Sequence, residues 1–333
     1  MKRRDFIIKG AASCIGAAFG LRAFTGAAFA QNGVILPVDA PLLAGGATPF
    51  KMKFSPRVAM AIFKETAGMD QVERIKFFYS NGFRSVEGMV GQNSKKELMD
   101  ALGSAVEKYG LYVGPQSAMN EKAFPTMTAN VVPAPKGQKP AQGSAEIKSY
   151  LAAELEKVFE MLKRIHGNSF IIGPGLADKE LSYDAQMKNV MQNMAFCAEL
   201  CEKRGVVMVI EPLNLKSHPG QFFSRAEQAY EVCNALKSPS CKILYDFFHE
   251  QMSCGNLDSL DKCFDQIGAF HIADAPDRAE PGTGCIDYPK LLKKVWDKGY
   301  RGTLGLEHKQ TDATKEGDIK LMQLYRDLDK NAI

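Results

Sequence analysis

The chain has 333 residues, with 42 Lys and Arg against 38 Asp and Glu, a formal net charge of +4. Residues 1–30 hold five of those bases (Lys2, Arg3, Arg4, Lys9, Arg22) and one acid (Asp5), which leaves 37 of each in the remainder. A balanced chain has no global attraction for a polyanion, so nucleic acid is excluded as the expected partner. Beyond residue 30 no apolar run reaches the roughly 20 residues of a stable membrane span.

In chain order, Lys2-Arg3-Arg4, an apolar stretch from Ala11 to Phe24 and Ala28-Phe29-Ala30 read as an export signal over residues 1–30. Arg3-Arg4-Asp5-Phe6-Ile7-Ile8-Lys9 resembles the twin-arginine pattern, which implies a periplasmic or otherwise extracytoplasmic destination. Residues 31–50, with Pro37, Pro41, Gly45 and Gly46, are expected to form a loosely packed arm, and residues 51–333 the folded domain. Seven cysteines follow the signal without C-x-x-C spacing; the expectation is buried thiols rather than a disulfide framework.

From residue 52 onward, short apolar or β-branched runs alternate with amphipathic stretches that end near Gly or Asn. Eight strands are predicted, at 53–54, 83–87, 111–114, 170–173, 206–210, 242–245, 269–272 and 303–306. Helical periodicity follows each, as in Val72, Ile75, Phe77 and Phe78 before Asn81-Gly82, or Leu291, Leu292, Val295 and Trp296 before Gly299. Eight such units predict an α/β fold of the (β/α)8 TIM-barrel kind, in a single domain. One segment breaks the rhythm: residues 120–144, with Pro125, Pro133, Pro135 and Pro140, are predicted to form a long loop after strand 3. Two readings stand for it, a flexible insertion and a lid over the face where barrel active sites lie.

The chemistry gathers where the late strands end. Glu211 closes Val-Val-Met-Val-Ile, Asp246 closes Ile-Leu-Tyr, His271 ends the seventh strand and Glu307 closes Leu-Gly-Leu. A single acid at a strand end is explained by helix capping or a surface ion pair. Four ligand-type residues at the same end of four successive strands are not, because a barrel converges those ends on one cavity. Three carboxylates there need a cation, and three oxygens with one imidazole suit Mn²⁺, Mg²⁺ or Co²⁺ better than zinc. His249, three residues past Asp246, is placed to donate a hydrogen bond to substrate over the same cavity. His166 and His308 are expected to face solvent or a loop.

Ile210-Glu211-Pro212-Leu213-Asn214, His218-Pro219-Gly220, Tyr245-Asp246-Phe247-Phe248-His249, His271-Ile272-Ala273-Asp274, Arg278-Ala279-Glu280-Pro281-Gly282-Thr283-Gly284 and Gly305-Leu306-Glu307 carry a family pattern. With these motifs the chain resembles the xylose isomerase-like TIM barrel superfamily of sugar phosphate isomerases and epimerases, and within it the hydroxypyruvate isomerase branch. The resemblance implies Glu211, Asp246, His271 and Glu307 as metal ligands, Glu211 and Glu307 as the acid/base pair, and His249 and Arg278 as substrate contacts. It leaves a homodimer open. His271 stands where hydroxypyruvate isomerases carry Gln and ketose 3-epimerases carry His, Ser217 where those epimerases place a substrate-binding Glu, and Cys285 where an acid is common.

The expected activity is therefore metal-dependent isomerisation or epimerisation of a small hydroxy-carbonyl compound or sugar through an enediolate. The alternative is a metal-dependent lyase or hydratase acting on a keto-sugar such as a 3-keto-glycoside, in which the same intermediate expels a β-substituent; export favours it. A non-catalytic sugar-binding barrel is a third reading. An apurinic-site nuclease, which shares the superfamily, needs about three metals and many more His ligands than five histidines supply.

Overall fold

The computed structural model describes residues 47–119 and 124–333. The expected signal, residues 31–46 of the expected arm and residues 120–123 of the long loop lie outside the described residues. The described residues form nine strands: β1 (Lys53–Pro56), β2 (Ser85–Val86), β3 (Tyr112–Val113), β4 (Gln116–Ser117), β5 (Ser169–Ile172), β6 (Val207–Ile210), β7 (Cys241–Asp246), β8 (Ile267–Ile272) and β9 (Thr303–Leu306). Every ladder is parallel. One sheet runs β1-β9-β8-β7-β6-β5-β4, and β2-β3 form a separate pair.

The pair closes the ring. The Glu87 main-chain N–H donates to Pro56 O (3.1 Å) and the Val58 N–H to Glu87 O (2.9 Å), which joins β2 to β1. The strand expected at 111–114 is split, because Pro115 has no N–H to give a ladder. The Gln116 side chain spans the gap, its Nε2 donating to Gly114 O (2.9 Å) while its Oε1 accepts from the Met89 N–H (2.9 Å). With β3 and β4 as one interrupted position, eight barrel positions are filled, as the sequence predicts.

Period-two alternation decides which side chains enter the barrel. Ile243, Tyr245, Phe270, Ile272, Leu304 and Leu306 belong to the core between strands and helices. The alternate residues Ile171, Val209, Leu244 and Ala269 form a small separate cluster that plugs the barrel interior. Two residues further along the same rows stand Gly173, Glu211, Asp246 and His271. On the remaining strands the inward row runs Gly305 to Glu307, Ser85 to Glu87 and Ser55 to Arg57. The inward rows therefore change from apolar plug to charged groups at the carboxyl ends of the strands.

Helices cover the outside, among them Gln71–Ser80, capped by the Asp70 carboxylate accepting from the Val72 and Glu73 N–H groups, and Tyr288–Asp297, capped by Asp287. None among the described residues is long and apolar enough to cross a membrane. Phe50, from the expected arm, is buried against Phe83, with ring centroids 4.6 Å apart. Five of the seven cysteines are buried thiols, whereas Cys254 and Cys285 are exposed.

Two expectations need correction or refinement. In the long loop, residues 124–131 are held in place: the Met127 N–H donates to Pro174 O, the Leu176 N–H to Phe124 O, and Asn193 Nδ2 to Met127 O. Met127 and Thr128 are buried, so this part packs as a wall beside β5 rather than as a free insertion. His308 does not face solvent but is fully buried. Its Nδ1 lies 3.0 Å from Lys309 O, an acceptor only, so Nδ1 carries the proton and Nε2 accepts from the Tyr325 hydroxyl at 2.6 Å. Burial pushes this ring's pKa down to about 4, consistent with a neutral imidazole. Tyr325→Phe orphans Nε2 and is expected to lower stability by about 1–3 kcal/mol, read by chemical denaturation.

Candidate metal centre

The four late-strand residues meet. Glu211, Asp246, His271 and Glu307 each offer a ligand atom, all within 4.8 Å of one another. His271 Nδ1 stands 2.6 Å from Glu307 Oε2, 3.2 Å from Glu211 Oε1 and 3.9 Å from Asp246 Oδ2. These four atoms are buried, and none has a well-aligned hydrogen bond. Three carboxylate oxygens facing one ring nitrogen, all orphaned, is costly unless a cation lies among them. The donor set thus fits a divalent ion. Asp246 serves two ends: Oδ1 caps the helix Phe247–Cys254 by accepting from the His249 N–H (3.0 Å), which leaves Oδ2 toward the cluster.

Two further residues join that the sequence alone does not mark as part of the site. Glu87 Oε1 lies 3.1 Å from His271 Nε2, so with the ring proton on that nitrogen the Nδ1 lone pair points at the cluster. Room for Glu87 is made by glycines: a Cβ at Gly305 would collide with its carboxylate, and one at Gly114 would stand 2.9 Å from Oε2. Arg57 reaches Glu307 Oε1 (3.1 Å) and Glu87 Oε1 (3.7 Å) with Nη1, and donates from Nη2 to Ser117 Oγ (3.0 Å). The signal that would have found both is the one used for the others, since Arg57 directly follows β1 and Glu87 directly follows β2.

Arg278, beyond β8, brings Nη2 to 3.1 Å from Glu307 Oε2 and 3.6 Å from Asp246 Oδ2, with its guanidinium over the Phe248 ring. It adopts a left-handed backbone (φ 55°), a conformation a non-glycine residue holds only when its surroundings impose it. Asp274 imposes it: its carboxylate accepts from the N–H groups of Ala275, Gly282, Gly284 and Ile286, wrapping the Glu-Pro-Gly-Thr-Gly segment around one buried charge. Asp274→Ala orphans those donors and is expected to cost at least about 1.5–3 kcal/mol in denaturant unfolding. His249 is buried, with Nε2 3.7 Å from Asp246 Oδ2 and no hydrogen-bond partner on that nitrogen. Burial pushes this ring down to about 3.

With both imidazoles neutral, four carboxylates (Glu87, Glu211, Asp246, Glu307) and two guanidiniums (Arg57, Arg278) leave two negative charges, which one divalent ion cancels. The titration shifts show the same shortage of positive charge, although the one on His271 favours a proton on a ring that must be neutral to bind an ion. Burial raises Asp246 from its ordinary value, only partly offset by Arg278 and His271. Burial also opposes charge on Glu307, but Arg57, His271 and Arg278 outweigh it and hold that carboxyl well below its usual value. For His271, burial disfavours the protonated ring, yet Glu307 and Glu87 push its pKa well up. The cluster draws positive charge inward.

Exposure separates the four ligands. Side chains of Asp246 and His271 are 1% and 0% exposed, those of Glu211 and Glu307 are 12% and 20%. The two glutamates, with Ser117, Gly173, Leu213 and Gln221, line a cavity of about 70 Å³. Asp246 and His271 are not among its lining residues.

Comparison with known proteins agrees with this architecture. Residues 75–326 match the family model described as "Xylose isomerase-like TIM barrel". A hydroxypyruvate isomerase from Escherichia coli (strain K12) is 33% identical over 138 residues, 41% of this chain and 53% of that protein. The chain spans about half the length of such curated relatives in these matches. Among solved structures, a family 2 AP endonuclease from Brucella melitensis aligns with TM-score 0.65 at 18% identity, covering 82% of this chain and 99% of that one. A 3-keto-D-glucoside 4-epimerase from E. coli aligns with TM-score 0.63 at 18% identity, covering 83% and 100%. At that identity the structures speak for the fold, whereas the family model spans most of the chain, including every residue of the cluster except Arg57: the protein belongs to the xylose isomerase-like TIM barrel family.

Proposed function

We propose that the protein is a divalent-metal-dependent isomerase or epimerase of a small hydroxy-carbonyl compound or sugar. The carrying observation is that Glu211 and Glu307 alone of the four candidate ligands line the cavity, so both are presented to a molecule there. Relatives named hydroxypyruvate isomerase and 2-oxo-tetronate isomerase support the reaction class. Glu211, Asp246, His271 and Glu307 would hold the ion, and three oxygens with one imidazole favour Mn²⁺, Mg²⁺ or Co²⁺ over zinc. When bound, the ion supplies Lewis acidity that makes the C–H beside a carbonyl acidic.

Glu307 then acts as base, its outer oxygen held by Arg57 and its charge preserved by two guanidiniums. Negative charge developing on the substrate oxygens is met by Arg278 and His249. Return of the proton from Glu307 to the adjacent carbon, with the hydroxyl proton passing from one substrate oxygen to the other, gives isomerisation; delivery of a different proton from Glu211, entering the cycle as the carboxylic acid, to the opposite face gives epimerisation and leaves the abstracted proton on Glu307.

Incubation of the metal-loaded protein in D2O with hydroxypyruvate, 2-oxo-tetronate, ketohexoses and 3-keto-glycosides, followed by NMR and mass spectrometry, tests this reading. Deuterium at the carbon beside a carbonyl, without loss of any fragment, is the expected result. Release of water or an aglycone would move the assignment to a lyase or hydratase, and no exchange with any of them would overturn the substrate class.

A further inference from the structure

His249 is held by groups that fix where its proton sits. Its Nδ1 lies 3.3 Å from the Asn214 main-chain N–H, which can only donate. The Asn214 side chain adds a second donor: Oδ1 already accepts from the Ser217 N–H (2.9 Å), so the amide is oriented with Nδ2 toward His249 Nδ1, at 2.6 Å. A nitrogen that accepts from two donors cannot carry a proton, so the ring is neutral and its one N–H is at Nε2. That nitrogen is buried, unpartnered, and turned toward the cluster beside Asp246.

We infer that Asn214 is a positioning residue, which through Ser217 and its own main-chain N–H locks His249 as the Nε2–H tautomer and so aims one neutral donor at a substrate oxygen above the metal ligands. Asn214 follows β6 and His249 lies in the helix after β7, so the lock ties two neighbouring strand ends together. A neutral donor at that point suits a carbonyl or developing oxyanion, because it strengthens as charge builds without drawing a proton from Glu307. Which oxygen it meets rests on the proposed isomerase chemistry; the tautomer does not.

The test is long-range ¹H–¹⁵N correlation on the full chain labelled with ¹⁵N-histidine, with Mg²⁺ present, the His249 signals being those lost in His249→Gln. The expected result is an unprotonated Nδ1 and a protonated Nε2 at neutral pH. Asn214→Asp replaces the nearer donor, at 2.6 Å, by a carboxylate oxygen and leaves only the 3.3 Å main-chain N–H; it should bring a proton onto Nδ1, by inverting the tautomer or charging the ring, and slow deuterium exchange into hydroxypyruvate by about 10- to 100-fold, mainly in kcat. A wild-type ring protonated at Nδ1 would overturn the inference even if no variant folds, as would unchanged exchange in Asn214→Asp with Nδ1 protonated. An Nε2–H ring in a protein that exchanges no probe would instead keep the lock and remove the isomerase reading.

Discussion

Glu307→Gln should lower turnover by about 100- to 10,000-fold in metal-loaded protein, the usual contribution of a positioned general base. The substitution keeps the shape and the contact with Arg57 but cannot accept a proton. Because Glu307 is the most exposed of the four candidate ligands and lines the cavity, its loss removes chemistry before it removes packing. Near-UV circular dichroism should stay native. Wild-type turnover in a metal-loaded Glu307→Gln protein would eliminate Glu307 as the base.

Arg57→Leu has the largest expected effect on stability. The guanidinium lies between Glu307 and Glu87, with side-chain exposure of 11% for Arg57 and none for Glu87. Removing one partner of a buried ionic group strands the others, typically at about 3–5 kcal/mol, and here two carboxylates lose their counter-charge together. Arg57→Lys keeps the charge but gives up the fork that reaches Ser117 as well, so it should fall between wild type and Arg57→Leu. Denaturant midpoints of the three proteins measure the order. An Arg57→Leu protein within about 1 kcal/mol of wild type would show that the cluster does not need this cation.

These expectations rest on a site whose larger part is written plainly in the sequence. Glu211, Asp246, His271 and Glu307 could be read from one rule, a ligand-type residue directly after a buried run, because parallel strands have both faces covered and their ends are sharply marked. The same rule points to Glu87 and Arg57, yet they sit after short early strands, β2 with two residues and β1 with a proline, where the run is too weak to mark an end. His308 departs from expectation because it follows Glu307 off the strand end, where a loop to solvent is the ordinary outcome. Its burial depends on Tyr325, seventeen residues away on another element, and sequence gives no sign of that pairing. The break at Pro115 was legible in principle, since proline cannot donate to a ladder, but the Gln116 side chain that repairs it is a tertiary contact.

The Asp274 loop shows the same division. Glu-Pro-Gly-Thr-Gly marks a turn by composition alone, whereas its purpose, holding Arg278 in a left-handed conformation against Glu307 and Asp246, appears only when four N–H groups are seen to converge on one carboxylate.

Calorimetric titration of the metal-free full chain with Mn²⁺, alongside Asp246→Ala, tests the central claim most directly. The account predicts one saturable site per chain in the wild type and its loss in Asp246→Ala, with the variant still folded by circular dichroism. A folded wild-type protein that shows no saturable binding of Mn²⁺, Mg²⁺ or Co²⁺, or an Asp246→Ala variant that binds as tightly as wild type, would contradict it.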